Sequence, residues 1–202
     1  MSDRQTSNPV RIAVTALAFS AAAFAAWVAK EGAGPTSVQG DGVVVHKPYI
    51  PTKGDVPTIG HGSTRYEDGT PVRLTDAPIT RARALLLARS LHSEEEVRFK
   101  ASIHGVSLTH GEFDLYLDFT GQFGIGRWRN STMRRELLTT PGLAAAEAAP
   151  HYRAACEALL LYRRQGGRDC SLPQNWGPKG CKGVWTRQQE RHAKCLAEQV
   201  AQ

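Results

Sequence analysis

The pattern of apolar and polar positions changes twice along the chain. Residues 12–29 contain no charged residue, between Arg11 and Lys30. Residues 32–78 are rich in Gly, Pro, Thr and Val, with short β-type runs such as residues 43–50, which predicts hairpins and loops. From residue 79 the apolar positions recur with helical spacing, so the remainder is predicted to be mostly helical. We therefore expect an α+β fold dominated by helices, with a small β-hairpin region in the first third.

Local signals divide the first part of the helical region. Residues 79–99 form one long helical stretch. Thr109 and Glu112 have the spacing of a capping box, which predicts the start of a second helix that runs to about Thr120. Ser131 is predicted to open a short third helix.

The last part of the chain carries two further helical stretches. Residues 143–164 are predicted to be helical, with Pro150 as an interruption or restart because proline removes a backbone donor. Thr186 and Gln189 have the spacing of another capping box, predicted to lead into a last helix that reaches about Val200.

The charge-free run has the features of a weak membrane-inserting segment. Nine of its eighteen residues are alanine, and as a helix it would span about 27 Å, just short of a hydrocarbon core of about 30 Å. Arg4 and Arg11 precede it, which favours a cytoplasmic amino end. Three interpretations are open: a signal peptide cleaved after Ala25, a permanent anchor, or a buried core helix. Export by one of the first two routes is favoured.

The four cysteines agree with export. Cys156, Cys170, Cys181 and Cys195 all lie in the last quarter of the chain, and an even number in an exported protein predicts two disulfides. Three connectivities are possible. We favour Cys170–Cys181, which would close a loop rich in Gly, Pro and Asn, and Cys156–Cys195, which would join two helical segments. Zinc is disfavoured because no CxxC spacing occurs, and no other metal or organic cofactor is indicated.

Composition and charge narrow the class of partner. The 202 residues are 41% hydrophobic and 22% charged, which is typical of a globular domain. The net charge of +6 favours an anionic partner, although a soluble basic surface explains it equally well at this point. Export and disulfides argue against nucleic acid, and no helix-turn-helix pattern is present.

Two short segments carry candidate chemistry. Glu31 and Gly32 follow the apolar run directly, and a carboxyl group at such a place is a candidate general acid. A solvated helix end is the simpler interpretation of Glu31. The second segment, residues 48–64, reads PYIPTKGDVPTIGHGST and predicts a hairpin with a turn at Gly54 and Asp55.

These segments resemble the phage-type lysozymes, glycoside hydrolase family 24. The similarity consists of Glu-Gly, then Tyr49, a glycine turn and Thr-Ile-Gly-His-Gly-Ser-Thr. The similarity continues in the same order through four later segments and covers roughly residues 30–197. These segments are residues 120–126 (TGQFGIG), 131–133 (STM), 162–167 (YRRQGG) and 183–190 (GVWTRQQE). Gln122 stands where the family usually has Asn. The resemblance implies a lysozyme-like fold.

The resemblance also implies site residues. Glu31 matches the family's catalytic Glu, the proton donor, and Thr58 matches the catalytic Thr, which helps to hold the attacking water. Substrate contacts are expected at Tyr49, Gly60, His61 and Gln122.

The family's catalytic Asp is the departure. It lies six residues before the catalytic Thr, and that position is Thr52 here. Asp55 is our first choice for the second carboxylate and Asp41 our second. In a third alternative, Thr52 and Thr58 position water and Glu31 carries most of the catalysis.

The resemblance also suggests a function for the apolar residues 12–29. Cleavage after Ala25 would leave Glu31 close to a new amino end, whereas an anchor that later leaves the bilayer would keep its helix. The arrangement resembles signal-anchor-release endolysins, which implies a segment 1–30 that tethers the enzyme inactive in the host inner membrane and a domain 31–202 that acts in the periplasm. Because residues 1–30 lack cysteine, we expect activation by a conformational change that brings Glu31 to the Thr58 hairpin.

The implied function is cleavage of the β-1,4 bond between N-acetylmuramic acid and N-acetylglucosamine, with host lysis as the outcome. Peptidoglycan, whose stem peptides carry carboxylates, then fits the basic charge, and we expect a monomer without a cofactor. The alternative is a tethered, non-catalytic peptidoglycan-binding protein of lysozyme fold, which the missing Asp makes possible.

Overall fold

A computed structural model of the chain describes residues 10–199 as two compact units. One unit holds residues 10–18 and 98–199, and the other holds Phe19–Val97. The α+β prediction is confirmed: six α-helices, three short 3₁₀ turns and seven short strands are found among the described residues. The helices are α1 (Ala21–Glu31), α2 (Arg81–Ser102), α3 (His110–Arg129), α4 (Thr132–Leu137), α5 (Ala145–Ala158) and α6 (Lys182–Ala197). The strands are β1 (Ile12–Ala13), β2 (Thr36–Val38), β3 (Val44–His46), β4 (Ile79–Thr80), β5 (Ser107–Leu108), β6 (Arg164–Gln165) and β7 (Arg168–Asp169).

The unit Phe19–Val97 contains a three-stranded antiparallel sheet in the order β2–β3–β4. Its register pairs Val45 with both Ser37 and Thr80. Three buried residues, Ile59, Val72 and Leu87, form a core beneath the predicted hairpin region. The hairpins expected from the Gly- and Pro-rich composition are therefore present, and helix α2 supports them.

Helix α1 lies in the same unit and is fixed by aromatic packing. The hydroxyl of Ser20 accepts a hydrogen bond from the Ala23 N–H and caps the helix. Trp27 then packs edge-on against the buried His92 ring of α2, with ring centroids 4.1 Å apart, while Phe19 stacks on His92 at 5.2 Å. The far side of α1 is an exposed alanine face consisting of Ala21, Ala22, Ala25, Ala26 and Ala29.

The apolar run of residues 12–29 is not one helix in the folded protein. Ile12 and Ala13 form β1, which pairs with β5, and residues 14–16 form a 3₁₀ turn before α1 starts at Ala21. Val14, Leu17 and Phe19 are buried. Among residues 10–199, no helix combines the length and the apolar character that crossing a membrane requires.

The second unit is built around helix α3. The Thr109–Glu112 capping box predicted from the sequence is present, and α3 continues past Thr120 to Arg129 across a kink at Gly124. Trp128 is completely buried and donates its indole N–H to Ser102 Oγ at 2.8 Å. Ser131 caps α4 as predicted, accepting from the Arg134 N–H.

A buried ion-pair network joins α3 to α6. Arg187 and Arg191 both contact the Asp118 carboxylate, at 2.7 and 2.6 Å. Burial by itself would raise the pKa of Asp118, but the two guanidinium groups outweigh it and the pKa lies below its usual range. Burial also lowers the pKa of Arg191 to about 10, although Asp118 opposes this shift.

Both favoured disulfides are formed. Cys156–Cys195 connects α5 to α6, and Cys170–Cys181 closes a loop between β7 and α6. None of the cysteines in the described part of the chain is free.

Besides the end of α3, two predicted helix features were wrong. Pro150 lies in the second turn of α5, and the helix continues without interruption to Ala158. Helix α6 starts at Lys182, directly after the disulfide-bonded Cys181, rather than at the Thr186 capping box. Val200, its expected end, lies outside the described residues.

Candidate active site

Glu31 is the last residue of α1. The helix ends there because Gly32 adopts a left-handed conformation, with φ of 72°, and returns its N–H to the Val28 carbonyl at 3.1 Å. Glycine adopts this conformation without the strain that a Cβ atom would add. The exposed Glu31 side chain is therefore held at a helix end whose position depends on the packing of Trp27 against His92.

Thr58 lies on the hairpin that follows. Its backbone exchanges two hydrogen bonds of 2.8 Å with Tyr49, which closes the loop containing residues 50–57. Its side chain is 3% exposed and donates its hydroxyl hydrogen to the Val56 carbonyl at 3.1 Å. Because the hydroxyl hydrogen is used in this bond, the Thr58 oxygen can interact with a water molecule only as a hydrogen-bond acceptor.

The Glu31 carboxylate lies beside the tip of the same hairpin. The tip is closed by two backbone hydrogen bonds between Ile59 and Ser63. Gly62 is exposed there, and a Cβ atom on it would come within 3.7 Å of Glu31 Oε2. The structure thus brings Glu31 to the Thr-Ile-Gly segment, 27 residues later in the sequence at Thr58.

His61 and His46 lie under this arrangement. His61 is 5% exposed and its Nδ1 lies 2.6 Å from the Gly32 carbonyl oxygen. His46, at the end of β3, is 2% exposed and its Nδ1 lies 2.7 Å from the Ala33 carbonyl oxygen. The two rings are 5.5 Å apart. His61 was predicted as a substrate contact, and the contact observed is with the backbone that follows Glu31.

Gly60 and Tyr49 also have contacts within this unit. Gly60 is buried with φ of 61°, and a Cβ atom on it would come within 2.8 Å of Ala84 Cβ on α2. The Tyr49 ring packs against Gly34 so closely that a side chain at position 34 would overlap it. Burial first, and the nearby Glu31 charge second, raise the pKa of Tyr49.

The two candidates for the second carboxylate lie in different loops. Asp55 is exposed, and its Oδ2 accepts hydrogen bonds from the Thr52 hydroxyl at 2.5 Å and from the Thr52 N–H at 3.1 Å. Asp41 lies in the turn between β2 and β3, where Oδ1 accepts from the Val43 N–H at 3.0 Å. A carboxylate therefore lies directly beside Thr52, the position that lacks the family's Asp.

Gln122 belongs to the other unit. It lies on α3, half-buried, and its Oε1 accepts a hydrogen bond from Arg191 at 2.6 Å. Its role as a substrate contact stays a prediction.

Sequence reasoning missed two residues of this region. His46 gave no signal, because its role depends on the Ala33 carbonyl of a neighbouring segment. His92 also gave none, because a histidine within a helical stretch does not show which aromatic rings surround it. No group of three or more His, Cys, Asp or Glu side chains that could hold a metal ion is found in residues 10–199.

Comparisons with known proteins identify the family of the chain and its fold. The sequence model of the phage lysozyme family matches residues 41–172, well over half of the chain. That range contains Tyr49, Thr58 and Gln122 and begins after Glu31. No curated protein sequence matches the chain.

Several solved structures share the fold. The chain is similar to an endolysin from Escherichia coli O157:H7 phage FAHEc1, with 20% identity over 90% of this chain and 94% of that one, at a TM-score of 0.59. A mutant of P22 lysozyme gives 20% identity over 89% and 99%, at a TM-score of 0.61. The muramidase domain of SpmX from Asticaccaulis excentricus gives 17% identity over 89% of this chain and 98% of that one, at a TM-score of 0.58. The lysozyme-like fold expected from the sequence is thereby confirmed.

Proposed function

The chain belongs to the phage lysozyme family of peptidoglycan-cleaving glycosidases, and on that premise we propose that it hydrolyses the β-1,4 bond between N-acetylmuramic acid and N-acetylglucosamine. The observation that carries the proposal is the position of the Glu31 carboxylate beside Gly62, on the hairpin that contains Thr58. An acid group next to this hairpin is what the family's chemistry requires, and two chain segments that are distant in sequence meet to provide it.

Glu31 acts as the general acid in this proposal. It donates its proton to the glycosidic oxygen as the bond from that oxygen to the anomeric carbon breaks. Water adds to the anomeric carbon and gives up one proton to a carboxylate, so that protons balance over the cycle. The Thr58 hydroxyl, already donating to Val56, accepts a hydrogen bond from that water and orients it.

Asp55 is the second carboxylate in this proposal. Two hydrogen bonds from Thr52 hold its side chain beside the residue that stands at the sequence position of the family's Asp, which supports Asp55 over Asp41. A fixed carboxylate both accepts the proton of water and stabilises the positive charge that develops on the sugar ring.

The test is the lysis of Gram-negative cells whose outer membrane has been permeabilised, followed as loss of turbidity. Purified wild-type chain is expected to clear the suspension, and Glu31→Gln to lower the rate by at least about 100-fold, as expected for loss of a positioned acid. The matched control is Glu190→Gln, the same change at an exposed position of α6, which should leave the rate unchanged.

Each contrary result has a separate meaning. Equal rates for wild type and Glu31→Gln would remove Glu31 as the acid. A wild-type chain that sediments with purified peptidoglycan without releasing reducing ends would favour the non-catalytic binding protein instead. Mass spectrometry of the released fragments checks the bond, because cleavage on the other side of the muramic acid residue leaves a different reducing sugar.

The proposal also includes a membrane tether formed by residues 12–29 before the enzyme is released. Residues 12–29 would form one helix in the inner membrane, and the enzyme would act in the periplasm and lyse the host after release. Two features support this: the run is uncharged and alanine-rich, which makes insertion weak, and the exposed alanine face of α1 lacks the charged residues usual on a solvated helix. The released enzyme is proposed to be a monomer, which sedimentation of the purified chain can test.

A further inference from the structure

The three residues that follow Glu31, which we call the exit segment (Gly32, Ala33 and Gly34), are each contacted by a different side chain. His61 binds the Gly32 carbonyl, His46 binds the Ala33 carbonyl, and Tyr49 packs on Gly34. All of these groups belong to the same compact unit. The backbone leaving the Glu31 helix end is therefore held over three consecutive residues.

The hydrogen bonds determine which ring nitrogen of each histidine carries the hydrogen. A carbonyl oxygen only accepts, so Nδ1 of each ring must carry the hydrogen and donate it. The Nε2 atoms of both rings are buried, and neither has a hydrogen-bond partner among residues 10–199. An imidazole that met substrate would expose a ring nitrogen, whereas these two rings each direct one nitrogen at the exit segment.

The two histidines come from different parts of the unit. His46 ends β3, in the centre of the three-stranded sheet, and His61 lies at the hairpin tip between Gly60 and Gly62. Their rings contact each other at 5.5 Å. The sheet, the hairpin tip and the end of α1 are thus connected through one buried pair of side chains.

We propose that His46 and His61 are positioning residues, which hold the Glu31 carboxyl group at the Thr58 hairpin by binding the two carbonyl groups that follow it. The inference rests on the proposed function, since it assigns a purpose to the position of the catalytic acid. A displacement of about 1 Å at a reacting group lowers rates by about 100-fold, so two hydrogen bonds to the carbonyl groups one and two residues after Glu31 have a large effect on turnover. Neither ring touches substrate in this proposal.

The first test uses variants that differ in where they place a donor. Asparagine has its amide nitrogen at the position of the Nδ1 atom, whereas glutamine reaches the position of Nε2. His61→Asn is expected to keep kcat within about threefold of wild type, and His61→Gln and His61→Leu to lower it by about 10- to 100-fold with KM changed less than twofold. The corresponding variants of His46 should follow the same order.

Tyr152→Phe is the control for loss of stability. It removes a hydrogen bond of similar length, 2.8 Å from the Tyr152 hydroxyl to the Ser107 carbonyl, in the other unit. It should lower the melting temperature without changing kcat. If His61→Leu does not fold, the comparison of His61→Asn with His61→Gln still decides the question. Equal kcat values for those two variants would overturn the proposal.

The second test does not depend on activity. Nitrogen-15 NMR of the imidazole rings is expected to show both His46 and His61 in the Nδ1–H form at neutral pH. The Nε2–H form at either ring would overturn the proposal even if the enzyme is active. An inactive wild-type chain with both rings in the Nδ1–H form would instead refute the proposed function and leave the exit-segment contacts intact.

Discussion

The Asp55 carboxylate accepts hydrogen bonds from both the hydroxyl and the N–H of Thr52, at 2.5 and 3.1 Å. The two residues form a closed turn, and the position at which a phage-type lysozyme has its catalytic Asp is occupied by a threonine that holds another residue's carboxylate. A carboxylate therefore lies beside the threonine that stands at the family's Asp position, although it belongs to a residue three positions later in the sequence.

Replacing Asp55 should therefore impair turnover. Asp55→Asn is expected to lower kcat by about 100-fold, because the neutral amide cannot take a proton from water. Asp41→Asn, with the same chemical change in another loop, should stay within about twofold of wild type. The double variant Thr52→Asp with Asp55→Asn is expected to recover part of the lost activity, measured as reducing ends released from purified peptidoglycan. Greater loss in Asp41→Asn than in Asp55→Asn would reverse the assignment.

The exposed alanine face of α1 offers a test of the tether. Ala22→Leu with Ala25→Leu should raise the fraction of protein in the inner membrane, because each leucine favours insertion by roughly 0.5 kcal/mol over alanine. The activity of the released, folded enzyme should not change, since both side chains are exposed. Membrane fractionation and the time to lysis are the measurements, with Ala146→Leu on α5, also exposed, as the control. An unchanged membrane fraction would contradict the tether.

Gly60 should tolerate substitution poorly. Gly60→Ala brings a methyl group against Ala84 and places alanine at positive φ, which together should lower the free energy of unfolding by about 2–4 kcal/mol. Gly62→Ala has a comparable φ but finds only ordinary contact distances, so its cost should be about 1–2 kcal/mol. Ala84→Gly should recover part of the loss in Gly60→Ala. Urea denaturation measures all three, and no recovery would show that the backbone conformation alone determines the cost.

The two disulfides should differ in their contribution to stability. Their sequence separations are 39 residues for Cys156–Cys195 and 11 for Cys170–Cys181. The entropy of loop closure in the unfolded chain then gives about 4 and about 3 kcal/mol respectively. Replacing each pair by alanine and measuring the free energy of unfolding tests the order. A larger loss for the shorter loop would mean that contacts in the folded state outweigh chain entropy.

The Asp118 network predicts a specific dependence on pH. Because the folded-state pKa of Asp118 is lowered, its contribution to stability is full above the ordinary carboxyl pKa of about 4 and is lost as the pH falls through the folded-state value. At pH 7, Asp118→Asn should lower the free energy of unfolding by about 3–5 kcal/mol, since the buried Arg191 and the partly buried Arg187 both lose their ion pair with this carboxylate. The difference from wild type should shrink towards pH 2. A constant difference across this range would exclude titration of Asp118 as the cause.

Features that depend on neighbouring residues were predictable from the sequence. Thr109 and Glu112 cap α3 because both partners lie within one helical turn, and the pattern is visible in the letters alone. The same pattern at Thr186 failed, because α6 already begins at Lys182 and Thr186 lies inside the helix. The residues before Thr186 gave no capping pattern that would have shown this earlier start.

In the candidate site, too, residues within short sequence motifs were predictable, and contacts between distant segments were not. Glu31 and Thr58 were found through short motifs that each carry their own pattern. The role of His46 was not found, since a histidine after three valines gives no indication that a carbonyl from residue 33 will face it. His61 was found as a residue of the site, expected there as a substrate contact. The hydrogen bond from its ring to the Gly32 carbonyl gave no signal in the sequence, because its partner lies 29 residues earlier.

The pairing of Arg11 with Glu112 gives the amino-terminal segment influence over a distant helix. Glu112 is fully buried and accepts two hydrogen bonds from Arg11, at 2.6 and 2.9 Å, while it also completes the cap of α3. Any state in which residue 11 is held elsewhere leaves this carboxylate buried without its guanidinium, which is unfavourable. The coupling is reciprocal. Binding that keeps β1 away from β5 destabilises the amino end of α3, and formation of the α3 cap favours the paired position of β1. The position of Arg11 and the stability of the first turn of α3 are therefore energetically coupled.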